Sequence, residues 1–62
     1  MNKLRETRVV KRITQFQLRI NTGIQQSKIS LIENGYVEPR DDEKLKLARA
    51  LGMVPRDLFP SD

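Results

Sequence analysis

Between Thr14 and Gly35 the chain reads TQFQLRINTGIQQSKISLIENG, two helix-length segments without proline that meet at a single internal glycine, Gly23. Thr14 offers a hydroxyl N-cap, and Gln17 can return a side-chain bond to the cap's own backbone N–H, so a helix begins at Gln15. Leu18 is its clearest inward residue; Ile20, two positions on, does not share that face. Asn21, Thr22 and Gly23 end the helix, the glycine because it takes a left-handed backbone at little cost. Ile24, Ile29 and Ile32 then fall near one side of a second helix running to about Asn34. Its opposite side carries Gln25, Gln26, Lys28 and Leu31, flanked by Ser27 and Ser30, and Asn34-Gly35 closes it.

The flanking chain also favours helix. Asn2 to about Arg12 has good helix formers and neither glycine nor proline, but its apolar stripe is thin, because Thr7 stands where an aliphatic residue would continue the face of Leu4. Pro39 bars helix immediately before itself, and Asp41, Asp42 and Glu43 then place three carboxylates in the first turn of a helix to about Leu51, where the helix dipole favours them. Leu45, Ala48 and Leu51 are the expected apolar face of that helix, with Leu47 to one side and Gly52 as the stop. Pro55 suits the first position of a last turn ending near Leu58 and Phe59, which Pro60 closes. The expected fold is all-α, a compact bundle of five short helices forming one domain over residues 1–62, with its helix-turn-helix core at 14–35.

Composition narrows the chemistry. The 62 residues include neither cysteine nor histidine, so helix packing rather than disulfides or the usual zinc constellations must hold the chain together. There is no glycine-rich phosphate loop, and no carboxylate pair outside the helix start at Asp41–Glu43, where capping explains the acids better than a metal does. No enzyme, metal, cofactor or small-molecule substrate is therefore expected. No apolar run approaches the ~20 residues of a membrane span, and MNKLRETR lacks a signal peptide's apolar core, which points to a cytoplasmic protein with no membrane partner. Twelve Lys and Arg against eight Asp and Glu give a net charge of +4, which favours a polyanionic partner and equally serves solubility.

Thr14-Gln15, Leu18, Gly23-Ile24, Ser27, Ile29-Ser30, Ile32-Glu33 and Gly35, followed by Pro39 and the run from Leu45 to Gly52, resemble the helix-turn-helix domains of phage repressors and Cro proteins and the wider xenobiotic-response-element regulators of bacteria. The resemblance implies a lambda repressor-like fold and a double-stranded DNA operator, read by a recognition helix at about 25–34 in the major groove. It implies base-reading positions at Gln25, Gln26, Ser27, Lys28 and Leu31 with Ser30 close by, phosphate contacts at Gln15, Asn34 and Arg40, and a structural ion pair between Arg8 and Glu33. Lys11 and Arg12 are equally readable as further clamps or as ordinary charged surface. A transcriptional repressor acting as a homodimer on DNA is the function implied; Tyr36, Val37, Met53, Leu58 and Phe59 are candidates for the contact between copies, each equally readable as core or loop packing. A protein-interaction adaptor or antitoxin component on the same fold is the alternative. Three positions depart from the family pattern: Arg19 replaces the usual small alanine, Gln25 the usual hydroxyl cap, and Phe16 a commonly polar residue.

Overall fold

A computed structural model describes residues 2–60; the ends of the expected 1–62 unit, Met1, Ser61 and Asp62, lie outside the described residues. Among these residues the structure is all-helical, in the order α1 (Leu4–Val10), α2 (Gln15–Thr22), α3 (Gln26–Glu33), α4 (Asp41–Ala50) and α5 (Pro55–Leu58). Helix α3 packs on α1 and α2, while α4 packs on α2 and α5. The core joins all five helices through Leu4, Leu18, Ile29, Ile32, Leu47, Ala48 and Leu58, with Ile24 and Leu51 completing it from the flanking turns.

Helix α2 starts as its cap chemistry requires. Gln17 N–H donates to Thr14 Oγ1 at 3.0 Å and Thr14 N–H donates to Gln17 Oε1 at 2.9 Å, so two otherwise orphaned donors are satisfied reciprocally. It stops at Gly23, whose φ of 75° is left-handed and whose N–H closes on Arg19 O at 2.8 Å. A second lock reinforces the turn. The buried Thr22 hydroxyl donates to Leu18 O at 2.7 Å and accepts from Ile24 N–H at 3.1 Å, fixing the point at which the chain leaves α2. Ile24 therefore enters the core from the turn rather than from the first turn of α3.

Two sequence-based expectations are corrected, and a reading left open for five residues is narrowed. Helix α1 covers only Leu4–Val10 and buries only Leu4 among its residues, leaving Val9 and Val10 exposed. In α4 the inward row is Glu43, Leu47 and Ala48, continued by Leu51, whereas Leu45 is 41% exposed. The helix is thus rotated from the expected phase, because a buried glutamate occupies the first position of its packed face. Finally, Leu58 belongs to the core, with Val37, Met53 and Phe59 packed against it, so that Tyr36 alone of the five candidates for contact between copies is largely exposed.

Candidate nucleic-acid interface

Helix α3 is tied to two other helices through one carboxylate. Arg8 on α1 donates to Glu33 through Nε at 2.6 Å and Nη2 at 3.2 Å, and Gln15 on α2 donates Nε2 to Glu33 Oε1 at 3.0 Å. The remaining reach of Arg8 goes to Ile13 O at 3.0 Å, tying the link between α1 and α2 into the same network. Asn2 adds a contact from the N-terminal side, donating Nδ2 to Ile32 O at 2.9 Å. With Ile29 and Ile32 buried behind it, α3 has little freedom to roll.

The outer face of α3 retains unspent hydrogen-bonding capacity. Gln25, Gln26 and Ser27 are exposed at its N-terminal end, and Leu31 is exposed one turn further on. Gln25 precedes the helix at φ −60° and ψ 143° and makes no side-chain cap bond, so its amide does not cap the positive end of the helix dipole. Ser30 is half-buried, and its carbonyl accepts from Asn34 Nδ2 at 2.9 Å. Asn34 is exposed beyond the C-terminal end, whereas Arg40, also exposed, lies beside Gln25 and Lys28 near the N-terminal end, its Nε 3.3 Å from Asp42 Oδ1. Gln15, an expected phosphate contact, is half-buried with its amide given to Glu33.

Lys28 is placed differently from its neighbours. Its Nζ lies 2.8 Å from Oε2 of Glu43 on α4, so this amine is engaged within the protein. The other oxygen of Glu43 accepts the Arg40 N–H at 2.9 Å. Nothing in the sequence pairs residues 28 and 43; the contact follows from the rotated phase of α4. The Lys28 amine and the Arg40 N–H hold the Glu43 carboxyl below the usual glutamate range, against the opposing effect of burial. A folded value below the unfolded one means that this stabilisation is complete above the ordinary glutamate range and is lost as pH falls through the lowered value. Glu43→Gln is accordingly expected to be less stable than the native chain at neutral pH, the gap closing below about pH 4.3 in denaturant titrations. A gap that persisted unchanged in acid would mean that the carboxylate's charge is not what stabilises.

Arg19 does not wedge between α2 and α3. It projects outward, with Cζ 5.8 Å from the centre of the Phe16 ring, and both side chains are exposed. Lys11 and Arg12 are exposed at the end of α1, and Arg12 takes a left-handed φ of 58° where the chain turns toward α2.

Two helices joined by a three-residue turn, the second presenting polar side chains and the first bracing it, define the helix-turn-helix class of DNA-binding domains. Residues 3–60 match the sequence model of the Cro/C1-type HTH DNA-binding domain, and the chain belongs to that family. Its fold is similar to the crystal structure of the restriction-modification controller protein C.AhdI from Aeromonas hydrophila, at 37% identity and a TM-score of 0.86, over 92% of this chain and 86% of that one. No curated protein sequence matches. Among the described residues, no helix is long and apolar enough to cross a membrane.

Proposed function

We propose that this protein is a sequence-specific transcriptional regulator, a repressor, that inserts the N-terminal part of α3 into the major groove of an operator in the cytoplasm. The observation carrying this reading is the exposed row Gln25, Gln26, Ser27 and Leu31, set on a helix whose opposite side is fixed by Ile29, Ile32 and the Arg8–Glu33 clamp. An amide both donates to and accepts from an adenine edge, a hydroxyl adapts to either role, and Leu31 meets a thymine methyl. Lys28 and Ser30 border the row. Gln15, Asn34 and Arg40 flank α3 at its two ends and set the register on phosphates without reading sequence. C.AhdI is a controller protein, and the likeness supports a regulatory role here. One such unit makes few base contacts, so two copies bind half-sites about one helical turn apart.

Selection of binding sites from random duplexes tests the proposal, expecting an enriched two-fold symmetric site; recovery of no preferred sequence would overturn it. On the selected duplex, Gln26→Ala is expected to weaken binding by about 1–3 kcal/mol and relax preference at one base pair. An equal loss on random duplex would argue against base readout. Arg40→Ala is expected to flatten the dependence of log affinity on log salt by about one unit on selected and random duplex alike, since a phosphate contact carries no sequence information. An unchanged slope would remove Arg40 from the phosphate contacts.

A further inference from the structure

Lys28, which borders the proposed reading row, and Arg40, a proposed phosphate contact, converge on a single internal acid. Glu43 is only 4% exposed, yet it lies at the floor of a depression beside the N-terminal end of α3, lined also by Gln25 and Lys46. Its Oε2 holds Lys28 Nζ at 2.8 Å, and Arg40 Nη2 stands 3.7 Å from the same oxygen. The Lys28 side chain is 36% exposed, so the amine is within reach of both Glu43 and a ligand lying along α3. A carboxylate placed there occupies the lysine much as a phosphate would.

From this geometry we infer that Glu43 is a specificity-determining residue, which withholds the Lys28 amine from the DNA backbone and releases it only to the base edges of the selected site. The inference rests on α3 being the DNA-reading helix. A pair closed on a nearly buried carboxylate adds no counterion release to binding on random sequence, because its cation is already neutralised, whereas the exposed Arg40–Asp42 pair opens to a phosphate at little cost. To open it, DNA must offer the amine acceptors good enough to compensate a nearly buried carboxylate for its partner. A lone phosphate is a generic acceptor. The paired O6 and N7 acceptors of guanine are a better match in number and direction, so opening is confined to sites that present them. Discrimination then comes partly from an internal competitor acting against the wrong ligand.

The test measures affinity against salt for the native chain, Glu43→Gln, Lys28→Gln and the double variant, on the duplex recovered by selection and on random duplex. Glu43→Gln is expected to tighten random binding and steepen its log–log salt slope by about 0.9, the value for one more cation on phosphate, while leaving the slope on the selected duplex unchanged. Lys28→Gln is expected to weaken binding to the selected duplex and relax preference at one base pair while leaving binding to random duplex unchanged, and the double variant to bind random duplex as Lys28→Gln does. Unchanged slopes in Glu43→Gln, or a steepening that survives without Lys28 as a mere change of net charge, would overturn the inference. A native chain that does not distinguish selected from random duplex would instead overturn the proposed function. Should Glu43→Gln fail to fold, nitrogen-resolved lysine spectra of the native chain decide the matter. The Lys28 amine signal is expected to stay at its free-protein position on random duplex and to shift on the selected one; a shift on both would refute gating.

Discussion

Replacing Glu33 with alanine is expected to destabilise the protein by about 3–5 kcal/mol, because it leaves a charged guanidinium without its partner where water has little access. The Glu33 side chain is 3% exposed and that of Arg8 14%. Glu33 accepts from Arg8 on α1 and Gln15 on α2 while standing at the end of α3, so its loss unties three helices together. Arg8 would keep only its bond to Ile13 O, and Gln15 would lose Glu33 as the acceptor of its amide. Urea titrations of Glu33→Ala, Arg8→Ala and the double variant check this. The double variant is expected to lose less than the sum of the single ones, because most of each single loss is the cost of stranding the other partner. A loss below about 1 kcal/mol for Glu33→Ala would assign the pair to ordinary surface bridges.

What could be read in the sequence follows the range of the interactions concerned. Thr14 with Gln17 and the left-handed stop at Gly23 are settled within one turn of chain, and α2 begins and ends where they dictate. Arg8 and Glu33 are far apart in sequence, and their pairing was legible through family resemblance rather than through any local rule. The phase of α4 was not legible. Its packed face contains Glu43, a residue type that hydrophobic periodicity assigns to solvent, and with that position discounted the periodicity puts Leu45 on the inner face and Leu47 to one side, the reverse of their places in the fold. The misreading concealed the Lys28–Glu43 contact, which requires the true phase. Local sequence makes Thr22 part of a helix stop, whereas its buried hydroxyl also fastens the turn to Ile24. The exposed cation–aromatic pair of Arg19 and Phe16 resolves one family departure by outward projection, which a sequence without neighbours does not specify.

Ile29→Ala is expected to cost about 2–5 kcal/mol, since Ile29 is fully buried on the inner side of α3 and the surrounding helices cannot collapse fully onto the space left. For 62 residues a total stability of about 3–9 kcal/mol is typical, so a large part of the molecules would be unfolded. The effect on DNA binding should nevertheless differ in kind from that of Gln26→Ala. Unfolding lowers the concentration of competent protein without changing the face α3 presents, so apparent affinity falls by the same factor on every sequence and the order of base preference is retained. Excess selected duplex should raise the melting temperature of Ile29→Ala, as a ligand that binds only the folded state must. Gln26 is exposed and makes no side-chain hydrogen bond among the described residues, so Gln26→Ala should melt like the native chain while its preference changes. Thermal melts with and without duplex, run beside binding to single-base variants of the selected site, separate the two. If Ile29→Ala altered base preference while keeping the native melting temperature, the orientation of α3 would depend on something other than the isoleucines behind it.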